Sequence, residues 1–199
     1  SITREEFFKY KFDVEYSRES ILSGVRNRYV KEMEGKEISD DLLPGFELIK
    51  DWNLRADSLN TSAALSILTL PNAFKPENLK YDRDSITVNL RKNMSYLKKQ
   101  YGRIDVPLGR VVRLVRGETS LPLSGGPGTL RAIYSEKSGK NYKAVAGDCY
   151  IQAVEWGPEG QLNAWSIHQY GSSTMDKTSP HFDDQSKYFS KHELKVIRP

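Results

Sequence analysis

Apolar positions recur at helical spacing through the first half of the chain and at strand spacing through the second. Ile21, Val25, Tyr29 and Met33 fall four residues apart and form one stripe of a helix, which Ser17 is placed to cap and Gly35 to end. Before it, Thr3-Arg4-Glu5-Glu6 has the form of a capping box, so a short helix is expected to follow and to bury Phe7, Phe8 and Phe12. Asp40-Asp41 precede a further helical run with Phe46, Ile49 and Trp52. Thr61 to Leu68 is small and apolar and predicts a buried helix stopped by Pro71. Residues 72–83, with Pro76, predict a loop. Ile86, Leu90, Leu97 and Tyr101, with Met94 beside them, mark a long helix that Gly102 closes.

The period changes after Gly102. From Pro107 the chain reads as β-like and Gly-rich. Thr129–Tyr134 and Asn141–Ala146 predict a hairpin around Ser138-Gly139. Cys149–Trp156 and Gln161–Tyr170 predict a second one around Gly157-Pro158-Glu159-Gly160. In its last strand Trp165 and Ile167 face one way, and Ser166 and His168 the other. The polar stretch Gly171 to Gln185 predicts a loop. Ser179-Pro180 then has the form of a helix start, with Asp183 and Asp184 in the first turn and Phe182, Tyr188 and Phe189 on one side. The fold class is therefore α+β: a helical N-terminal packing segment, 1–105, then an antiparallel β-rich segment, 106–199, with a C-terminal helix.

Composition narrows the function classes. A chain of 199 residues suffices for one domain or two small lobes. No apolar run approaches the roughly 20 residues of a membrane span. No basic-then-apolar leader opens the sequence, so an export signal is expected to have been removed or to lie outside it. The net charge of +4 is weakly basic. Arg103, Arg110, Arg113 and Arg116 cluster, but acids are mixed through the chain and no nucleic-acid motif appears, so solvated or internally paired arginines are expected and no nucleic-acid partner. Cys149 is the single cysteine and sits in an apolar run, where a buried, inert thiol is expected.

The candidate chemistry is sparse. The Gly125-Gly126-Pro127-Gly128 cluster lacks the Lys-Ser/Thr ending of a phosphate loop, and Pro127 removes a cradling N–H, so a tight turn is expected. His168, His181 and Asp183 could supply three zinc ligands only if the loop folds back. The preferred reading places His181 in a hydrogen bond at a helix start, His168 on a strand face and His192 in solvent. Trp52 is expected to pack, and Arg55 to pair with Asp57. No residue is assigned a catalytic, cofactor-binding or metal role.

Several stretches resemble the penicillin acylase family, whose members are N-terminal-nucleophile (Ntn) amidohydrolases. Gly171-Ser172-Ser173, Ser179-Pro180-His181-Phe182 and Asp184-Gln185 are similar to its C-terminal signature, with Ser172 in place of the usual Gln and Phe182 in place of Tyr. Leu121-Pro122-Leu123-Ser124-Gly125-Gly126 is similar to its Leu-Pro-Leu-x-Gly-Gly run. Pro107-Leu108-Gly109 has Leu where Trp is usual. Trp52 to Asp57, with Asn53 for Asp, precedes a Ser-x-Ala-Ala-like helix.

The resemblance implies an αββα parent that hydrolyses a linear acyl amide. Possible substrates are a β-lactam side chain, an N-acyl-homoserine lactone or a lipopeptide acyl chain, which would place the parent in antibiotic metabolism or quorum quenching. In such enzymes an N-terminal Ser, Cys or Thr attacks the amide, its own α-amino group is the base, and a backbone N–H and an Asn hold the oxyanion. Ser1 lacks the Asn and nearby Trp that follow the family's nucleophile, and all the similar stretches belong to the end of the family's catalytic chain. The expectation is thus a C-terminal structural segment, inactive alone, with the rest of the acylase precursor or its other chain as partner. A periplasmic or secreted location is implied, and no cofactor. A complete small hydrolase using Ser1 and a non-catalytic binding module are the alternatives.

Overall fold

The computed structural model describes residues 2–71 and 81–198. Ser1 and most of the expected 72–83 loop, including Pro76, lie outside the described residues.

Helix α1 (Arg4–Lys11) begins at the expected capping box: the Glu6 N–H donates to Thr3 Oγ1 at 3.1 Å, and the Thr3 N–H to Glu6 Oε2 at 2.8 Å. It buries none of its own residues. The expected phenylalanine face is half open because α1 rests on a sheet rather than in a groove: Phe8 meets the Trp165 ring edge-on at 5.8 Å, while Phe7 stays exposed.

Helix α2 (Ile21–Glu34) is capped by Ser20, not Ser17; the Ser20 hydroxyl accepts the Ser23 N–H at 3.2 Å. The buried stripe keeps Val25, Tyr29 and Met33 as expected, but in the first turn Leu22 is buried and Ile21 faces water. Helix α3 (Leu43–Lys50) crosses the long helix α5 (Arg83–Tyr101) at Gly45, where the Met94 and Leu90 side chains fill the space of a missing Cβ. Trp52 follows α3 and is buried, its Nε1–H donating to the Arg55 carbonyl at 3.0 Å. Arg55 pairs with Glu15 at 2.9 Å rather than with Asp57, because an antiparallel bridge sets residues 15 and 55 side by side.

Helix α4 (Ala63–Thr69) is the buried helix the sequence predicts. Asn60 caps it, its Oδ1 accepting from the Ser62 and Ala63 N–H groups at 2.9 and 3.2 Å. Helix α5 presents Ile86, Leu90, Asn93 and Leu97 to the core, and the Asn93 amide is satisfied by the Leu68 carbonyl at 2.9 Å. Gly102 ends α5 in the left-handed conformation, φ 79°.

The chain does not turn directly into strand at Pro107. A helical turn, α6 (Leu108–Val111), comes first. Four strands then form one sheet: β1 (Val112–Arg116), β2 (Thr119–Pro122), β3 (Ile133–Ser138) and β4 (Asn141–Gly147) in the order β2-β1-β4-β3. Its four strands form two antiparallel hairpins, β1–β2 and β3–β4, which join through a parallel pairing of β1 with β4. The first expected hairpin forms with its leading strand starting at Ile133, because Gly126–Thr129 is spent on a tight turn in which Thr129 Oγ1 accepts the Gly126 N–H at 3.1 Å. β5 (Tyr150–Trp156), β6 (Leu162–His168) and β7 (Lys195–Val196) make a second sheet in that order, all antiparallel. Helix α7 (Ser186–Ser190) packs against β2 and β6. One hydrophobic core joins both halves, from Val14 and Leu65 through Leu114 and Ile133 to Phe189. Among the described residues no helix is long and apolar enough to cross a membrane.

Candidate functional site

The loop from Gly171 to Gln185 closes on itself. Its strands of coil are tied by the Ser173 N–H to the His181 carbonyl at 3.0 Å and by the Gln185 N–H to the Tyr170 carbonyl at 2.9 Å. Gly171 is required at the crossing, since a Cβ there would overlap the His181 carbonyl oxygen and the Asp184 carboxylate. Ser179-Pro180 does not start a helix. The Ser179 hydroxyl accepts the His181 N–H at 3.2 Å in a local turn, and α7 begins only at Ser186. Asp183 and Asp184 therefore precede the helix instead of filling its first turn.

What organises the loop is Arg116, at the end of β1. Its guanidinium lies over the Phe182 ring at 4.1 Å and the Tyr170 ring at 4.9 Å. Its Nη2 donates to the Thr174 carbonyl at 2.9 Å and the Ser173 carbonyl at 3.3 Å. The neighbouring Thr119 hydroxyl donates to Asp183. The arginine cluster is thus internally employed: Arg103 pairs with Asp105, Arg110 lies over Tyr101, and Arg113 donates to the Gly109 carbonyl. The clustering of these arginines was legible, but Arg116 as the loop's clasp was not; only its place at a strand end pointed that way.

A second polar centre lies beneath α1. Arg131 is fully buried. Its Nη1 donates to Asp148 at 3.0 Å and its Nη2 to the Phe189 carbonyl at 3.1 Å, and the Phe189 ring lies 4.0 Å from the guanidinium. Lys11 shares Asp148 at 2.8 Å. Burial without full compensation pulls the Arg131 pKa down, partly offset by Asp148.

The three histidines are dispersed. His168 tilts on Tyr150 at 4.7 Å, and its backbone N–H donates to Gln185 Oε1 at 3.1 Å. His181 places Nδ1 3.2 Å from Asp184 Oδ2. His168, His181 and Asp183 do not converge, and among the described residues no group of three or more potential ligands is gathered around a point. His192, expected in solvent from its charged surroundings in sequence, is instead covered. Its ring lies against Phe12, and burial, then the Arg131 charge, push its pKa down to about 4. Cys149 is exposed, not buried. The apolar run that suggested burial is broken at Gly147, φ 117°, so Asp148 turns in toward Arg131 and Cys149 turns out.

The family model for penicillin amidase matches residues 6–198. The chain belongs to the penicillin amidase family. Its family is one of hydrolases acting on amides, and its Ser-Pro-His-Phe and Gly-Gly runs both make long-range contacts here. The Ser179-Pro180-His181-Phe182 run carries the ring under Arg116. Gly125, φ 111°, donates its N–H to the Ala56 carbonyl at 2.7 Å and so ties the Gly-Gly run to the Trp52–Asp57 stretch. Family motifs far apart in this chain are therefore neighbours in space, and what they make is a brace between helices and sheets.

Proposed function

We propose that this chain is the C-terminal structural part of a penicillin-acylase-type amidohydrolase, supporting rather than supplying the nucleophile. The observation that carries the reading is the Arg116 clasp. The most family-like residues of the chain spend their polar groups on one another, in cation–π contacts and loop closure, and among the described residues none of their hydroxyls is hydrogen-bonded to a histidine ring. His181 faces Asp184, Asp183 accepts from Thr119, and Ser179 accepts a backbone N–H. The parent would hydrolyse a linear acyl amide such as a β-lactam side chain, an N-acyl-homoserine lactone or a lipopeptide acyl group, in the periplasm or outside the cell. The remainder of the precursor is its partner.

The test compares the 199-residue chain, its Ser1→Ala variant and the full gene product on penicillin-type and long-chain acyl amides. Turnover by the full product alone is expected. Turnover by the isolated chain that vanishes in Ser1→Ala would overturn the reading in favour of a complete small hydrolase.

A further inference from the structure

The second sheet has an edge built unlike the others. β5 pairs with β6 along its whole length without a bulge, and its far side carries no strand among the described residues. Hydrogen-bond parity fixes which groups point there. The Gly157 N–H reaches the Gln161 carbonyl at 2.8 Å, and the Gln169 N–H reaches the Cys149 carbonyl at 2.9 Å. Bonded and non-bonded pairs alternate in an antiparallel ladder. The backbone groups of Ile151, Ala153 and Glu155 therefore face β6, and the N–H and C=O groups of Tyr150, Gln152, Val154 and Trp156 face outward.

The remaining edges carry the usual protection against pairing. β2 ends in Pro122, whose carbonyl is taken by the Ser190 hydroxyl at 2.6 Å. β3 is bulged between Tyr134 and Ser135 and exposes Glu136 and Lys137. β7 is two residues long and includes Lys195. β5 has no proline, no lysine and no bulge. Its one charge, Glu155, is already paired with Arg4 at 2.5 Å. Its solvent face carries Tyr150, Gln152, Val154 and Trp156 and no charge, with Trp156 73% and Tyr150 46% exposed.

We propose that β5 is a strand-addition edge whose occupant is β5 of a second copy, antiparallel about a twofold axis at Ala153. The strand is complementary to itself in that register. Tyr150 lies opposite Trp156 of the second copy, and Gln152 lies opposite Val154, so every outward N–H and C=O meets another outward group. The solvent face gains a cross-strand aromatic pair at each end. On the inner face Glu155 meets Ile151, so no like charges oppose each other. The contact is isologous and closes at two copies. It does not depend on the acylase reading.

The test is light scattering on the 199-residue chain, separated by size, over a series of concentrations. A monomer–dimer equilibrium is expected. Val154→Lys should weaken it at least tenfold, and Val145→Lys, at an exposed valine of the other sheet, should leave it unchanged. Gln152→Lys decides the point if circular dichroism shows that Val154→Lys fails to fold. A wild type that is monomeric throughout would overturn the proposal. So would a dimer that survives both Gln152→Lys and Val154→Lys, or a monomer that associates only when co-expressed with other parts of an acylase precursor.

Discussion

The His192 ring lies flat on the Phe12 ring, with centroids 5.0 Å apart and planes 2° from parallel. His192 adopts a left-handed backbone, φ 63°, to reach that position, and its Nε2 is buried with no hydrogen-bond partner. Lys11 and Arg131 repel a proton there, while Asp57 and Asp148 only partly favour one.

This stacking makes stability depend on pH. The folded-state pKa of His192 is depressed from 6.5 to about 4, so the folded protein prefers the neutral ring. Its contribution is complete above pH 6.5 and is lost as the pH falls from 6.5 toward 4. The full shift corresponds to about 3 kcal/mol, and partial solvent access lowers this to about 1–2 kcal/mol. Thermal melts should show the midpoint falling across that window, and His192→Gln should flatten the curve there. An unchanged slope in the variant would refute the assignment.

Gly171→Ala should cost about 1–3 kcal/mol, because the new Cβ meets a backbone carbonyl that cannot move aside without opening the loop. For a chain of this size that is a fall in Tm of about 2–4 °C per kcal/mol. A melt within 1 °C or so of wild type would show that the crossing can relax.

Arg116→Lys should loosen residues 171–185 selectively. An ammonium cannot lie flat over both Phe182 and Tyr170 while donating to two carbonyls. Hydrogen exchange should speed up in that loop by about tenfold, the equivalent of about 1.4 kcal/mol, with α5 unchanged. Uniform acceleration would place the effect elsewhere.

Cys149 should react with a water-soluble disulfide reagent in the native protein at a rate close to that of the unfolded chain, since it is exposed beside the Gly147 corner. Protection by a hundredfold or so would contradict the geometry.

The helices were readable because their signals are local. The α5 stripe and its Gly102 stop, and the Thr3 capping box, need only neighbours within a few residues. The hairpins at Ser138-Gly139 and Gly157–Gly160 were readable for the same reason. The parallel pairing of β1 with β4 was not, because it depends on a crossover that no local pattern encodes. The start of α7 was misplaced because the Ser179-Pro180 signal was overridden when Phe182 was drawn beneath Arg116. Nothing local marks Arg131 as buried, since its partners lie 17 and 58 residues away. The family resemblance was legible in the motif order, but the work those motifs do, as a brace, appears only in three dimensions.

Arg131 also sets an order of assembly. Its guanidinium sits in the middle of the chain's sequence, yet its last acceptor is the Phe189 carbonyl, which exists only once the final helix has been made. Although Tyr96 and Tyr101 of α5 still await the Lys140 carbonyl, the α2–α5 helices can begin to pack on one another early during synthesis. The sheets cannot, because until Phe189 arrives they enclose a cation with only Asp148 to answer it. The closing residues are therefore the keystone of the β half: the Phe189 carbonyl supplies the last acceptor that the buried Arg131 needs.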